Sequence, residues 1–280
     1  ISEIISNTDS VAGDDLYLSI DADLQKATYI ALEREIAGIV YSNIKAGNIP
    51  IIDVYKALIG NRVIDISHFT EDDASATEKG LYSSFKNTHK NVQKNIKKEL
   101  TTSPKALDQM SDETLDEFTH IISMLKDNGI LLTSEIDTND ETYQKWKNQK
   151  ISPKEYLNYC ISQQWIDISQ LSVDEKYADS SEVYDALCNY ILDHLKDDKD
   201  FDTIIYEYMI ARGDISPRKL CIILFEQGVL DYDDATVNKL KNGTLAPYDF
   251  IMDKINRVEI TPAQLALEPC TGSTIVTDVK

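Results

Sequence analysis

Basic residues, glycine, proline and cysteine are all scarce in this chain of 280 residues. Its 28 lysines and arginines stand against 48 acidic residues, which gives a net charge of −20. Such a charge repels a nucleic-acid backbone unless a local basic patch overcomes it, so we expect no nucleic-acid partner. Only seven prolines and ten glycines punctuate the chain, and an apolar fraction of 42% is enough to build a core.

Long apolar runs and metal-binding patterns are missing as well. No segment approaches the roughly 20 apolar residues that span a bilayer, and no signal peptide is recognisable, so we expect a soluble segment. The four cysteines have no C-x-x-C spacing and form no zinc pattern with the four histidines, and we expect neither a metal nor a cofactor. Three of the four cysteines lie in apolar helical patterns, which are typical of buried free thiols. An even cysteine count allows disulfides outside the cell, although no spacing demands them.

Amphipathic helical patterns fill most of the chain. Apolar residues recur on one helical face in residues 81–100, 111–126 and 183–195, and a further helix is expected from about Asp23 to Asn43. Residues 16–20 and 272–279 instead read as short strands, the second with alternating β-branched residues. The predicted fold class is therefore mainly α: repeated short capped helices in a compact arrangement, flanked by short β-strands near both ends.

One phrase of the sequence occurs twice. Residues 146–153 read WKNQKISP and residues 240–247 read LKNGTLAP, an offset of 94 residues at which the match continues as far as Leu171 and Leu265. Ser152 and Thr261 each begin a capping-box pattern with proline at the next position. Since so short a unit cannot bury its apolar face alone, the copies should pack on one another. We place the copies at about 44–70, 146–172, 213–232 and 240–266.

Candidate catalytic and metal-binding motifs are weak. A serine nucleophile activated by a lysine one helical turn away would give S-x-x-K, and four such pairs occur, but K-[ST]-G is absent. Ser216 aligns with the helix cap Ser152, so we expect a cap there and helix surfaces for the others. Asp198–Asp202 begins like a calcium loop, but Thr203 and Met209 replace the required glycine and glutamate, which favours a solvated acidic loop. The four S-x-x-K pairs mentioned above are Ser42 with Lys45, Ser83 with Lys86, Ser123 with Lys126, and Ser216 with Lys219.

Five lysines form a stripe that is a candidate partner-binding surface. They follow one another at helical spacing opposite an apolar face, and in so acidic a chain they could meet an anionic wall polymer or a negative surface of a partner. The alternative is a solvated helix face paired with the protein's own carboxylates. The stripe consists of Lys86, Lys90, Lys94, Lys97 and Lys98.

Two short stretches at the ends carry a family resemblance. Residues 16–27 read LYLSIDADLQKA, and residues 272–280 read GSTIVTDVK. Together they resemble the opening of the transpeptidase domain of penicillin-binding proteins. There, a Y-L-T-I-D-x-x-L-Q segment starts a long helix and a G-x-x-V-V-x-D-x-x-T-G strand follows soon after. The most specific part of the resemblance is Leu18 to Asp21 followed by Leu24 and Gln25.

The resemblance implies a large insertion in a longer parent protein. Residues 1–44 would be a linker, strand and first helix of the transpeptidase domain, 45–269 a helical insertion, and 270–280 the first strand after it. Class B penicillin-binding proteins are anchored in the bacterial cytoplasmic membrane and act on its outer face. They cross-link peptidoglycan stem peptides through an acyl-serine intermediate that β-lactams mimic. We expect the catalytic residues to follow Lys280, so this chain alone would carry no transpeptidase activity.

Three hypotheses for the segment follow. The first is a non-catalytic insertion that packs on the rest of the parent transpeptidase domain, touches the membrane only through the parent's anchor, and could dock other cell-wall or division proteins. The second is an enzyme of unrecognised type, against which stands the lack of a nucleophile, base and metal constellation. The third is a free-standing helical protein-interaction domain whose ends resemble the family by accident.

Overall fold

The fold is almost entirely helical. A computed structural model describes residues 21 to 173 and 178 to 275. Within those ranges twelve α-helices follow one another, joined by short connections and three single turns of 3₁₀-helix. The α-helices are α1 Ala22–Ala46, α2 Ile51–Gly60, α3 Ala76–Thr101, α4 Asp112–Asp127, α5 Glu141–Lys147, α6 Pro153–Ser162, α7 Ser180–His194, α8 Lys199–Ala211, α9 Pro217–Glu226, α10 Asp234–Asn242, α11 Pro247–Asn256 and α12 Pro262–Leu265.

The predicted strands are not borne out. The first, residues 16–20, lies outside the described residues, as does the second from Val276 onward. The described part of the second, residues 271–275, has no strand structure. Within the described ranges the β pairing is limited to one isolated antiparallel bridge between Leu131 and Ile166. A strand needs a partner for its backbone groups, and no neighbouring strand of these ranges offers one to residues 271–275.

The helices predicted from apolar periodicity are confirmed. The patterns at 23–43, 81–100, 111–126 and 183–195 correspond to α1, α3, α4 and α7 with ends a few residues away. The two predicted capping boxes are also present. Ser152 and Glu155 exchange side-chain and backbone hydrogen bonds at the start of α6, and Thr261 and Gln264 do the same at the start of α12.

The repeated copies share one local geometry. Helices α2, α6, α9 and α11 are each ten residues long, and the second residue after each has a positive φ: Arg62, Gln164, Gly228 and Val258. Such a left-handed residue ends a helix by turning the chain back across its last turn. Along the third and fourth copies these residues recur every 15 positions, at Gly213, Gly228, Gly243 and Val258.

An apolar residue two positions later anchors each turn. Ile64, Ile215 and Ile260 are buried there, and the backbone N–H of each donates to a carbonyl of the preceding helix. The copies thus consist of a helix, a left-handed turn and an apolar anchor. Four of the apolar pairs aligned by the offset of 94 residues are buried in both copies: Tyr156 with Phe250, Leu157 with Ile251, Ile166 with Ile260, and Leu171 with Leu265. Ile161 is half-buried, whereas its counterpart Ile255 is fully buried.

One hydrophobic core joins all these elements. The longest helix, α3, extends about 39 Å and packs against α6, α7, α8 and α9. Helix α2 packs mainly on α8, and α1 packs on α11 and α12. Buried side chains of the second half of α1 (Ile36, Ala37, Val40 and Ile44) belong to this core, whereas residues 22–31 are exposed apart from the half-buried Thr28.

The end of the described chain returns to α1. An added Cβ at Gly272 would lie 2.9 Å from Leu32 Cδ1 and 3.2 Å from Ile36 Cδ1, so the backbone there lies directly on this helix. The β-branched Ile275, three residues later, has a side chain that is 90% exposed. Val276 lies outside the described residues.

Candidate partner-binding surface

Helix α3 is well specified by its sequence. Ser75 caps its first turn, accepting from the backbone N–H of Glu78, whose carboxylate in turn accepts from the N–H of Ser75. The apolar residues Leu81, Phe85 and Ile96 are buried against the neighbouring helices. This fixes the direction of the opposite face, on which the five lysines lie.

All five lysines of the stripe are exposed. Among the described residues, no carboxylate oxygen lies within 4.0 Å of any of their ammonium groups; the Lys86 ammonium lies 5.0 Å from the centre of the Tyr82 ring. The stripe is therefore a solvated helix face. The pairing with the protein's own carboxylates that the alternative interpretation assumed is not found in this part of the chain.

Other cations of the molecule do have partners. Arg212 contacts the carboxylates of Glu113 and Asp214, and Arg62 lies 2.9 Å from Asp200. Lys150 lies 2.9 Å from Asp108. Other exposed lysines, such as Lys45, Lys126 and Lys241, also have no carboxylate oxygen within 4.0 Å among the described residues, so α3 is distinguished by five such lysines on one helical face.

Lys154 adds one more positive charge at the C-terminal end of α3. It belongs to α6, and its ammonium group donates a hydrogen bond of 2.7 Å to the carbonyl of Thr101. The last carbonyls of a helix carry a partial negative charge, which favours cations at this end. Lys97 and Lys98 lie in the last turns of α3 and are favoured by the same partial negative charge. The lysines are therefore most closely spaced at the end of the helix where its dipole attracts cations.

The S-x-x-K serines have structural roles. Ser42 and Ser83 donate to the carbonyls of Gly38 and Lys79 within their own helices. Ser216 caps α9, accepting from the N–H of Arg218 as predicted. Ser123 is exposed on α4. None of these hydroxyls is hydrogen-bonded to the lysine of its motif within the described residues.

The acidic run at Asp198 is the start of a helix. Asp198 caps α8 by accepting from the N–H groups of Asp200 and Phe201, and it lies 2.7 Å from Nε2 of His120. The interpretation as a solvated loop is wrong for Asp202, which is buried at 6% exposure. Burial raises the pKa of Asp202, although Lys199 and His89 oppose that effect.

Three further buried carboxyl groups, those of Glu78, Glu99 and Glu117, were not anticipated. Glu78, beneath the first turn of α3, accepts hydrogen bonds from Gln227 and Ser75 and pairs with His68. Burial alone would raise its pKa, but these hydrogen bonds outweigh it and lower the pKa. The hydrogen bond between His68 and Glu78 raises the pKa of His68. Glu117 lines a polar cleft of about 370 Å³ between α3 and α4 with Asn91 and Arg212.

The three buried cysteines behave as structural thiols. Cys160, Cys188 and Cys221 are buried as predicted, and Cys270 is half-buried. Burial raises the pKa of Cys160 and of Cys221 to about 12. Trp165 is buried, and Trp146 stacks on Tyr156 with ring centres 4.4 Å apart, so both tryptophans pack against the core.

Comparisons with protein-family models, with curated proteins and with solved structures gave no significant match. Within the described residues, no helix combines the length and the apolar content that a bilayer crossing requires. Functional proposals for this chain therefore rest on its own residues and geometry.

Proposed function

We propose that this chain is the opening of a penicillin-binding protein's transpeptidase domain, interrupted by a non-catalytic helical insertion. The proposal rests on the LSID and LQ residues at 18–21 and 24–25, and on the position of Asp21. Its side chain accepts hydrogen bonds of 3.0 and 2.9 Å from the N–H groups of Asp23 and Leu24, so the motif begins α1 with a capping aspartate. A resemblance to a strand-to-helix segment is supported by a helix that starts there.

The observation that carries the proposal is the return of the chain to α1. An insertion must leave its host domain and come back close to the point of departure. Here the segment after α1 runs through eleven helices, and Gly272 then lies on Leu32 and Ile36 of α1. The side-chain amide of Asn61, just after α2, also donates to the carbonyl of Leu265. The first and last parts of the segment thus meet.

The exposed start of α1 supports the same proposal. Leu24, Tyr29 and Ile30 are 48%, 60% and 40% exposed, which is unusual for large apolar residues gathered on one short stretch. In a transpeptidase domain these residues would be covered by the remainder of that domain. The parent would then cross-link peptidoglycan on the outer face of the cytoplasmic membrane, and the insertion would serve it as an accessory module.

A free-standing helical interaction domain is the second candidate. The observation that favours it is the single hydrophobic core, which includes Ile36, Val40 and Ile44 of α1 and needs no side chain from another domain. In that case the resemblance at the two ends would be accidental.

Labelling with a fluorescent penicillin distinguishes a penicillin-binding protein with an insertion from a free-standing interaction domain. The product of the whole gene is expected to take up one penicillin on a serine beyond Lys280, mapped by peptide mass spectrometry, while the 280-residue chain takes up none. A gene product that forms no adduct rules out the penicillin-binding protein and leaves the interaction domain. An adduct on any serine of the 280-residue chain contradicts the claim that it is non-catalytic.

A further inference from the structure

The lysine stripe combines high local charge with missing partners. Five exposed ammonium groups lie along one helix of a chain with a net charge of −20, and none has a carboxylate within 4.0 Å in the described ranges. Like charges on successive helical turns repel one another and destabilise the helix. An anionic ligand would relieve this repulsion, because it would lie between the charges.

The stripe is a line about one helix wide. From Lys86 to Lys98 it extends about 18 Å along α3, with successive lysines mostly three or four residues apart, or about 5 to 6 Å. Lys154 prolongs the line beyond the last turn. A narrow row of charges matches an extended chain molecule better than a flat membrane or a broad protein surface, because a chain molecule can follow the row along its length.

The residue type indicates which anion fits. The stripe contains lysine alone, whose ammonium group is a point charge on a flexible stem with three donors. Arginine, whose planar fork pairs with carboxylate or phosphate in a fixed geometry, occurs in this protein in ion pairs such as Arg212 with Glu113 and Arg257 with Asp253. Lysines without an arginine suit repeated phosphate groups that are held by charge, without a fixed geometry.

No exposed apolar anchor accompanies the lysines. The large apolar residues that are exposed in the described part of the chain lie on α1 or near the C-terminal repeats, and none lies on α3. Protein interfaces depend on buried aromatic or aliphatic anchors and are poor in lysine, and helices that lie on membranes insert an apolar face. Sites for single-stranded nucleic acid add aromatic side chains on which bases stack. Tyr82, beside Lys86, is half-buried and its ring stacks on Phe85 with ring centres 6.2 Å apart, so the stripe has no fully exposed aromatic side chain for such contacts.

We propose that the exposed lysine face of α3 binds a linear polymer of phosphate groups. The polymer would lie along the helix from Lys86 to Lys98 and reach Lys154, exchanging its bound counterions for the lysine ammonium groups. The binding is therefore electrostatic, of moderate affinity, and strongly weakened by salt. It does not depend on the family assignment, since it uses only the geometry of this helix.

Inorganic polyphosphate of about 45 phosphates, labelled with a fluorophore, is the probe, and anisotropy at about 50 mM salt measures its affinity for the 280-residue chain. In the test variant the five lysines of the stripe are replaced by glutamine. In the matched control, five exposed lysines elsewhere are replaced by glutamine, so that both variants have the same net charge. The control positions are Lys45, Lys126, Lys147, Lys239 and Lys241.

The stripe variant is expected to lose about tenfold or more in affinity, and the control variant less than about threefold. The wild-type affinity should fall steeply with salt, and the slope should flatten in the stripe variant only. The smaller variant K90Q/K94Q, which disturbs the helix less, should lose about threefold, and circular dichroism checks that all variants remain helical.

Several results would overturn the proposal. These are wild-type protein that does not bind polyphosphate at about 50 mM salt, a stripe variant that keeps wild-type affinity, and a control variant that loses as much as the stripe variant. Tighter binding to polyglutamate, to oligothymidylate or to anionic lipid vesicles would also overturn it, in favour of an acidic protein, a nucleic acid or a membrane surface.

Discussion

Glu117 lies on the buried side of α4, where its side chain is only 3% exposed. Its pKa is raised to about 8, chiefly by burial and also by the neighbouring Glu113 and Asp116, while Arg212 opposes the rise. The uncharged Thr88, Asn91 and Asn95 of α3 face it across the cleft. At neutral pH the folded protein therefore holds a proton on Glu117 that the unfolded chain releases.

This proton makes stability depend on pH. The folded pKa of about 8 lies above the ordinary value of 4.5, so the stabilising effect is complete below about pH 4 and is lost as the pH rises through 8. Glu117→Gln, which is neutral at every pH, should reduce the fall in unfolding free energy between pH 5 and 8 by roughly 2 to 4 kcal/mol. Urea unfolding at a series of pH values measures the unfolding free energy of both proteins.

The exposed Glu135 provides the matched control for this experiment. Glu135→Gln should leave the pH dependence of the unfolding free energy as it is in the wild type. If Glu117→Gln gives the same pH profile as Glu135→Gln, then Glu117 is ionised in the folded protein at neutral pH and this account of the cleft is wrong.

The burial of Glu117 could have been predicted from the sequence. For the lysine stripe the sequence predicts the exposure but not the lack of nearby carboxylates. Glu117 precedes Phe118 and shares the apolar face of Ile121, so a charged residue on the buried face could have been recognised. The exposure of the stripe follows from its position opposite Leu81, Phe85 and Ile96. The lack of nearby carboxylates could not be predicted, because those would come from other helices.

At the scale of single elements, the left-handed residue after each ten-residue helix is the recurring feature. A residue with a side chain is strained in this conformation, and a β-branched residue is strained most. Gly228 occupies the position without strain, whereas Val258 adopts a φ of 58° at the equivalent place. Arg62 and Gln164 adopt the same left-handed conformation in the first two copies without β-branching, so the strain is greatest in the last copy.

Val258→Gly should stabilise the protein. Removing the β-branched side chain relieves the left-handed strain, and because the side chain is only half-buried the loss of packing is small, so we expect a gain of about 1 kcal/mol. The reverse change, Gly243→Val, should cost about 1 to 2 kcal/mol, since nothing crowds that position apart from Arg218 at 3.9 Å. Thermal unfolding compares the two variants; a destabilised Val258→Gly protein would argue against backbone strain.

The starts of the same helices offer a second test. Ser152 caps α6, while Ala246 occupies the equivalent position before α11 and makes no capping hydrogen bond. Ser152→Ala should therefore destabilise by about 1 kcal/mol, and Ala246→Ser should stabilise by about 0.5 to 1 kcal/mol. Chemical denaturation measures both. If Ala246→Ser lowers the stability instead of raising it, the copies do not share one capping geometry.

The helices themselves were largely predictable, whereas their shared ending was not. Strong apolar periodicity located α1, α3, α4 and α7, and serine or threonine before proline located α6, α9 and α12. The left-handed position is occupied by glycine, arginine, glutamine and valine, so no residue type marks it. The C-terminal strand was predicted from its β-branched residues, but strand formation depends on a neighbouring strand, and propensity alone does not supply one.

At the scale of the whole molecule, α1 is where the described chain starts and ends. Its second half is buried in the helical core, its first three turns are exposed, and Gly272 lies against it. A segment that closes on its own entry helix can be accommodated in a host domain, and its removal would expose Ile36, Val40 and Ile44 of α1. Closure on the entry helix is what the proposed insertion at residues 45–269 requires.

The most direct measurement is penicillin acylation of the full-length gene product with and without the insertion. Residues 45–269 are replaced by a flexible glycine–serine linker of about 10 residues, and intact-mass and peptide analysis follow incubation with the antibiotic. We predict that both proteins are acylated on the same serine beyond Lys280, since the helical module contributes no catalytic group. A gene product with its insertion that is not acylated would contradict the account. So would a shortened protein that folds but is not acylated.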